Sequence, residues 1–341
     1  MDKPELLGLF PGELAMKLQG QPAFRSLQVF RWLHRGACFD QMSDLPKALR
    51  EQLKADYTDQ PVSILEKHVS RLDGTVKLLY ELRDGNCVEG VLMHYHHGYT
   101  LCLSTQVGCR MGCVFCASTL EGCVRDLTAA EMLGQVHCAN TLIPEDHVSN
   151  IVLMGSGEPF DNYDQTVRFL RLVSRQEGLN IGLRHVSLST CGLVPQIRRF
   201  AEEGLPVTLS LSLHAPNDVI RRRLMPVARA YSMEEVLDAC RLYIERTGRR
   251  VIFEYALNEI NSRPEHAAEL AGRLRGMQCH VNVIPLNTVR EKDLRAADDA
   301  AVLRFMQELE RRHISVTRRR EMGDDIEGAC GQLRRHYLEE K

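Results

Sequence analysis

Short apolar runs alternate with amphipathic stretches along most of the chain after residue 98. The apolar runs have the length of buried strands, and the stretches repeat apolar residues at helical spacing. The pattern predicts six strands, at residues 100–105, 150–154, 185–190, 207–213, 251–256 and 280–285. The six predicted helices lie at residues 128–140, 162–175, 194–203, 232–247, 264–275 and 298–313. Such alternation indicates a parallel sheet with outer helices, and six units fall short of the eight in a closed barrel. We therefore predict an α/β fold built on a partial (β/α)6 barrel.

The first 98 residues follow a different pattern. Helical periodicity at residues 24–35 and about 45–53 predicts a small helical accessory domain. Strand-like segments follow at residues 62–69, 76–82 and 87–93, with Asp-Gly turn signals between them, and predict a short β-hairpin extension. The predicted division of the chain is 1–60 helical domain, 61–98 hairpin extension, 99–320 barrel and 321–341 C-terminal segment.

Composition restricts the class of protein. The 341 residues are 44% hydrophobic and 26% charged, which is ordinary for a globular enzyme. No apolar run of about 18 residues and no basic-then-apolar leader is present, so we expect a cytoplasmic protein that does not enter a membrane. Without a leader, the twelve cysteines indicate reduced thiols and a metal site rather than a disulfide framework. A net charge of −2 argues against coating nucleic acid by bulk charge, but not against a local basic surface.

Three cysteines lie in one short segment, as Cys109, Cys113 and Cys116. Cysteine thiolates are the usual ligands of iron–sulfur clusters, and three of them leave one iron of a four-iron cluster open to a small molecule. Structural zinc prefers a closed set of four ligands, and no second cysteine pair follows at suitable spacing. The CxxxCxxC spacing with Phe115 before the last cysteine resembles the radical S-adenosylmethionine (SAM) enzymes, whose [4Fe-4S] cluster binds SAM at the open iron. Zinc or unrelated thiols remain the alternatives.

Polar and glycine residues recur where the predicted strands end. Ligands of open parallel sheets collect at the carboxyl ends of the strands, so these groups are candidates to bind SAM. The glycines of the second strand end allow close backbone approach, and its glutamate offers a carboxylate to an ammonium group. The candidate SAM-binding residues are Gly157, Glu158, Ser189, Ser212, Leu213, His214 and Asn287. Tight turns and strand-end caps use the same residue types, which is the alternative for any one of them.

Two further cysteines, Cys102 and Cys330, lie in segments that resemble a known family. The resemblance rests on those segments, on the cysteine loop and on four others: FRSLQVFRWLH at 24–34, GSGEP at 155–159, SLSLHAPND at 210–218 and IPLN at 284–287. Together they resemble the bacterial RlmN methyltransferases and the related Cfr resistance enzymes over nearly the whole chain. Read without that resemblance, either cysteine could be an inert buried thiol.

The resemblance implies methylation of carbon 2 of an adenosine in 23S ribosomal RNA, and of an adenosine beside the anticodon of some tRNAs. Cys330 would carry a methyl group taken from one SAM, and a second SAM would supply a radical that activates it. A methylene bridge would then join Cys330 to the adenine, with Glu89 as proton acceptor. Attack by Cys102 on the Cys330 sulfur would release the product and leave a disulfide between them. The resemblance also implies a monomer with an RNA-binding N-terminal domain, reduced by a donor such as flavodoxin or ferredoxin.

Some features leave alternatives open. Ser156 stands where the family commonly has Met, and Pro159 fits the carbon-2 enzymes better than the Cfr branch, which typically has Ala and methylates carbon 8. The basic runs at residues 221–223 and 318–320 could hold RNA phosphates or form solvated surface. A glycyl-radical-activating enzyme would share the cluster and barrel without the Cys102–Cys330 pair. A non-catalytic iron–sulfur RNA-binding protein is the remaining alternative.

Overall fold

The structure is a computed structural model that describes residues 3–286, 294–326, 333 and 337. Cys330 and Asn287 lie outside the described residues. The helices of the described part are α1 Pro11–Lys17, α2 Phe24–His34, α3 Lys47–Asp56, α4 Ala129–Asn140, α5 Tyr163–Val173, α6 Val194–Glu202, α7 Asp218–Leu224, α8 Met233–Thr247, α9 Pro264–Leu274 and α10 Asp299–Arg311. The strands there are β1 Val62–Val69, β2 Val76–Leu82, β3 Cys87–Tyr95, β4 Gly98–Cys102, β5 Gln106–Gly108, β6 Cys123–Asp126, β7 Val148–Leu153, β8 Val186–Thr190, β9 Thr208–Ser212, β10 Val251–Leu257, β11 Cys279–Pro285 and β12 Val316–Arg318.

One large sheet organises the molecule, with ten strands in the order β1-β2-β3-β4-β7-β8-β9-β10-β11-β12. Within this sheet the strands β4, β7, β8, β9, β10 and β11 are parallel, so the α/β fold and its six parallel strands are confirmed. The short strand β12 is a seventh parallel strand. The sequence did not predict it, because its three residues are mostly polar. The sheet is open, with β1 and β12 at its two edges.

The predicted hairpin strands β1, β2 and β3 continue the barrel sheet. β3 pairs antiparallel with β4, and Val91 is the partner of Cys102 in that register. β4 then pairs in parallel with β7, so a single strand joins the antiparallel and parallel halves. The segment therefore extends the parallel sheet by three antiparallel strands, which the turn signals alone could not show.

Helices cover the sheet and begin at recognisable caps. Thr128 and Ser232 cap α4 and α8 with side-chain oxygens that accept from Glu131 and Glu235, and both glutamates bond back to the cap. Gly248 ends α8 in the left-handed region, at φ 64°. Among the residues that the structure describes, no helix is long and apolar enough to span a membrane.

A small separate hairpin, β5 paired with β6, encloses the loop that carries the three cysteines. The backbone N–H of Cys109 donates to the carbonyl of Gly122 at 2.8 Å. A side chain at Gly108, where φ is 80°, would place its Cβ 2.0 Å from that same carbonyl oxygen. Glycine is therefore required at the entrance to the cysteine loop.

Candidate active site

A cavity of about 290 Å³ opens at the carboxyl edge of the parallel strands. Its lining includes groups from the ends of β7, β8, β9, β10 and β11, together with the cysteine loop. This is the edge at which open parallel sheets collect their ligands. Of the residues that we predicted to bind the cluster or SAM, those in the lining are Cys109, Cys113, Cys116, Gly157, Glu158, Ser189, Ser212 and His214.

The three cysteines of the loop face this cavity together. Burial raises the pKa of Cys109 to about 12 and raises the pKa of Cys113 as well. Thiols in such surroundings stay protonated unless a metal cation replaces the proton, because metal ligation requires the thiolate. No three such side chains in the described part of the chain are arranged to hold one metal ion. A four-iron cluster binds each thiolate to a different iron, so its ligands need not converge on one point. The residues present fit a cluster better than a single zinc ion.

Glu158 is a buried carboxylate in the cavity wall. Its Oε2 accepts from the backbone N–H of Cys191 at 2.7 Å, and its Oε1 accepts from the N–H of Phe160 at 3.1 Å. Its own N–H donates to Gln106 Oε1 at 2.8 Å, which ties the β7 end to the segment before the cysteine loop. Burial raises the pKa of Glu158, while the hydrogen bond from Cys191 favours the charged form. The side chains of Thr190 and Cys191 also hydrogen-bond to this carboxylate and favour its charged form.

Gly157 is needed where the chain passes beneath the cavity. Its φ is 110°, and a Cβ there would lie 2.7 Å from the backbone nitrogen of Gln106 and from Thr105 Oγ1. No side chain can occupy that space, which places bare backbone at the cavity surface.

His214 stands at the end of β9 with φ 54°, a value that is uncommon outside glycine. Its Nδ1 accepts from the N–H of Ala256 at 2.9 Å, so the ring is the neutral tautomer with hydrogen on Nε2. Burial lowers the pKa of His214 to about 3, which keeps the ring neutral. The ring packs edge-on against Phe115 with centroids 4.7 Å apart, and so supports the cysteine loop.

Ser189 and Ser212 face each other across β8 and β9, with their hydroxyl oxygens 3.4 Å apart. Both line the cavity, so their hydroxyls are available to a ligand there. Leu213 behaves differently, because it is fully buried in the core and is absent from the lining. Its side chain is therefore a packing residue, and the strand end presents Ser212 and His214 instead.

Sequence reasoning missed three titratable residues of the lining, Cys191, Glu254 and Arg319. Cys191 directly follows Thr190 at the end of β8, a position that strand-end logic could have identified. Glu254 lies inside β10, where its Oε2 accepts from Asn282 Nδ2 at 2.8 Å, and burial raises its pKa. Arg319 lowers that pKa by its charge, so part of the second basic run belongs to the cavity rather than to an open surface.

Cys102 and Glu89 lie on the sheet beside the cavity. Cys102 is the register partner of Val91, and Glu89 is two residues before Val91, so all three point to one face. Cys102 packs with Val91 and Met93 in a small cluster that also touches Met154, and Met154 lines the cavity. Glu89 is 3% exposed, with its Oε2 3.6 Å from the Nζ of buried Lys77. The two predicted catalytic residues thus share a face next to the cavity without lining it.

Comparison with known proteins identifies the family. Residues 103–271 match the radical SAM superfamily model, and residues 6–58 match the ribosomal RNA large subunit methyltransferase N-terminal domain. A protein of Alkaliphilus oremlandii named "Probable dual-specificity RNA methyltransferase RlmN" is 49% identical, covering 99% of this chain and 100% of that protein. A protein of the same name from Clostridium tetani is 51% identical over 92% of this chain and 90% of its own length.

The structure agrees with these sequence matches. The crystal structure of a radical SAM methyltransferase from Sphaerobacter thermophilus superposes with a TM-score of 0.92 at 43% identity, covering 96% of this chain and 98% of that one. Similarity of this extent includes the N-terminal helices, the added strands and the barrel. The chain therefore belongs to the RlmN family of the radical SAM superfamily.

Proposed function

We propose that the protein is a radical SAM methyltransferase that methylates carbon 2 of adenosine in 23S ribosomal RNA and in tRNA. The observation that carries the proposal is the cavity where the three loop cysteines meet the strand ends. Met154 in its lining packs against the small cluster that contains Cys102. Full-length similarity to RlmN proteins supports the substrate class. Pro159, which follows Glu158, favours carbon 2 over the carbon 8 of the Cfr branch.

In this proposal Cys109, Cys113 and Cys116 hold a [4Fe-4S] cluster. When they are bound together and the cluster is reduced, the cluster and SAM would supply a carbon radical. No amino-acid side chain provides such a radical. The protein's contribution is to orient SAM: Glu158 accepts from its ammonium group, the hydroxyls of Ser189 and Ser212 contact its polar groups, and Gly157 allows close backbone approach. Leu213 and His214 shape the β9 end, and Asn287 is proposed as a further contact from the segment after β11.

The two remaining cysteines act in sequence. Cys330 accepts a methyl group on its sulfur from one SAM, and loss of a hydrogen atom from that methyl allows its carbon to bond to adenine. The adduct then gives up its unpaired electron to a one-electron acceptor, a role that the oxidised cluster would fill, and Glu89 takes the proton from the ring carbon. The thiolate of Cys102 attacks the Cys330 sulfur, which breaks the sulfur–methylene bond and forms the Cys102–Cys330 disulfide. The electron pair of the broken bond stays on the methylene carbon, which takes up a proton and becomes the methyl group of the product. An external reductant such as a thiol restores both cysteines.

The substrate base must leave its stack to reach this site, because the cavity lies at the sheet edge and Cys102 is buried. We propose that the N-terminal helices contact the RNA, and that exposed Arg222 and Arg223 bind phosphates. Arg221 cannot take part, since it is fully buried. We further propose a monomeric enzyme reduced by flavodoxin or ferredoxin.

Nucleoside analysis tests the reaction and the atom that is methylated. The anaerobically reconstituted enzyme is incubated with SAM, a reductant and unmodified 23S RNA or tRNA, and the digested nucleosides are identified by mass spectrometry against 2-methyladenosine and 8-methyladenosine standards. We expect 2-methyladenosine together with 5′-deoxyadenosine. Only 8-methyladenosine would favour the Cfr-like reaction. SAM cleavage without any methylated nucleoside would favour a glycyl-radical-activating enzyme, and no SAM cleavage would favour a non-catalytic RNA-binding protein.

A further inference from the structure

Arg221 is a fully buried arginine at 0% exposure, although its neighbours Arg222 and Arg223 on α7 are exposed. Its Nη2 donates to the carbonyl of Cys191 at 2.6 Å. Its Nε and Nη1 have no hydrogen-bond partner in the described part of the chain, and no described carboxylate forms an ion pair with it. A buried guanidinium with one acceptor for its five N–H donors is strongly unfavourable unless a further anion completes its surroundings.

The surroundings of Arg221 lead to the cysteine loop. The last residue of its helix, Leu224, accepts with its carbonyl a 3.0 Å bond from the N–H of Val114, between Cys113 and Cys116. Gly192 leaves the space for the guanidinium, since a Cβ there would lie 3.0 Å from Nη2. The groups whose negative charge would stabilise Arg221 most are the thiols of Cys191 and Cys113. Arg221 therefore lies behind the loop, on its protein side.

Other anions are less suitable partners. Asp218 is on the same helix, but its Oδ1 accepts from the N–H of Met233 at 2.8 Å and forms no ion pair with Arg221. A SAM carboxylate would have to reach Arg221 from the cavity, and Arg221 is not part of the cavity lining. The anion that fits from the protein side is the cluster with its cysteine thiolates.

We propose that Arg221 is a positioning residue for the cluster, which it stabilises in its reduced form through its charge and through the unpartnered N–H groups of its Nε and Nη1. Reduction adds an electron to an anionic group in a region of low dielectric, so a neighbouring cation stabilises the reduced form more than the oxidised one. Hydrogen bonds to cluster sulfur act in the same direction. Arg221 thereby raises the reduction potential, which makes the cluster easier to reduce. This inference rests on the proposed cluster site.

The test is the midpoint potential of the reconstituted cluster, measured by electron paramagnetic resonance during an anaerobic redox titration. Arg221→Gln removes the charge, Arg221→Lys retains it but loses the planar set of donors, and Arg229→Gln is the control at an exposed position shortly after the same helix. We expect Arg221→Gln to lower the reduced fraction at fixed potential at least tenfold, a shift of about 59 mV for one electron. Arg221→Lys should shift less in the same direction, and Arg229→Gln should have the midpoint potential of the wild type.

Iron and sulfide content separates the possible failures. If wild type and Arg221→Gln both load the cluster and share one potential, the role of Arg221 is refuted while the proposed function stands. If wild type itself loads no cluster, the proposed function is refuted first. If only the Arg221→Gln protein fails to load the cluster, the potential of the Arg221→Lys protein is the test. A loaded Arg221→Lys protein with the same potential as the wild type would overturn the inference.

Discussion

Glu158 and Cys191 join two neighbouring strand ends, since the Cys191 N–H donates a hydrogen bond to Glu158 Oε2 at 2.7 Å. The bond crosses from the end of β7 to the end of β8, and both residues line the cavity. It fixes the carboxylate in the cavity wall before any ligand arrives. The glutamate is therefore part of the framework, and in the proposed function it also binds SAM.

Glu158→Gln should weaken both functions. One carboxylate oxygen becomes an NH₂ group that faces a backbone N–H, so the buried donor of Cys191 or Phe160 loses its acceptor, at a cost of about 1–3 kcal/mol. We expect a lower free energy of unfolding and weaker SAM binding, measured by denaturation and equilibrium dialysis. Glu245→Gln, at an exposed position, is the control and should leave both unchanged. Equal SAM affinity in the two variants would contradict the proposed contact.

Removal of one cluster ligand should remove the cluster. Cys113→Ala, Cys109→Ala and Cys116→Ala should each bind little iron and lack the visible absorbance of the reconstituted protein. Cys279 begins β11 at the opposite edge of the barrel, so Cys279→Ala should load iron normally. A complete four-iron cluster in Cys113→Ala, found by iron and sulfide analysis, would reject the assignment.

The two cysteines of the proposed mechanism should give different defects. Cys102→Ala removes only the step that frees the product, so protein joined covalently to RNA through Cys330 should accumulate and be visible on a denaturing gel. Cys330→Ala removes the methyl carrier, so it should form neither crosslink nor methylated RNA. In the purified wild type, mass spectrometry of the Cys330 peptide should show one added methyl group. Normal turnover by Cys102→Ala without a crosslink would exclude its resolving role.

Asp325 should act as an anchor for the segment that leads to Cys330. Its carboxylate accepts from Ser70 Oγ at 2.6 Å and from the N–H of Arg71 at 2.9 Å, in the turn between β1 and β2. Met322 packs against the cluster of Val91, Met93 and Cys102, so the anchored segment lies against the group that contains the proposed resolving cysteine. We expect Asp325→Ala to slow Cys102–Cys330 disulfide formation at unchanged iron content.

The neighbouring Asp324→Ala is a matched control, because Asp324 is exposed and precedes the anchor by one residue. Thiol alkylation followed by peptide mass spectrometry would measure the disulfide after a single turnover. Equal rates in the two variants would show that the anchor has no role in presenting Cys330.

The protein should lose stability in mild acid through His34. Burial lowers the pKa of His34 from 6.5 to about 3, and nearby His137 and Arg175 add to the effect. The unfolded chain therefore binds a proton that the folded chain excludes, so stability is present above pH 6.5 and falls as pH decreases from 6.5 toward 3. The loss is about 1.4 kcal/mol per pH unit for one such group.

Urea denaturation of the cluster-free protein between pH 5 and 7 measures this slope. His34→Leu should reduce the slope of stability against pH by the amount that corresponds to one bound proton. His147→Leu should leave the slope unchanged, because the side chain of His147 is 71% exposed. An unchanged slope in His34→Leu would assign the acid sensitivity to other groups.

Local signals determined much of this protein. The spacing of Cys109, Cys113 and Cys116 and the strand periodicity depend on residues that are close in sequence, so they predicted the cysteine loop and six parallel strands. Strand-end logic also placed Gly157, Glu158, Ser189, Ser212 and His214 around one cavity, because all parallel strands end at the same edge. The side chain of Leu213 lies in the core, because alternation along the strand turns it away from the cavity, and a contact of this residue with SAM stays a prediction.

Tertiary packing decided the rest. Arg221 looks like its exposed neighbours in the sequence, and only the approach of the β8 end and the cysteine loop buries it. In the sequence, Glu254 is not distinguished from other strand residues. In the structure it accepts a hydrogen bond from Asn282 and lines the cavity. The position of Cys102 beside Met154 depends on the pairing of β4 with both β3 and β7. The sequence by itself specified which groups were available and how each segment folds, whereas the environment of each group was set by distant segments that meet only in the packed sheet.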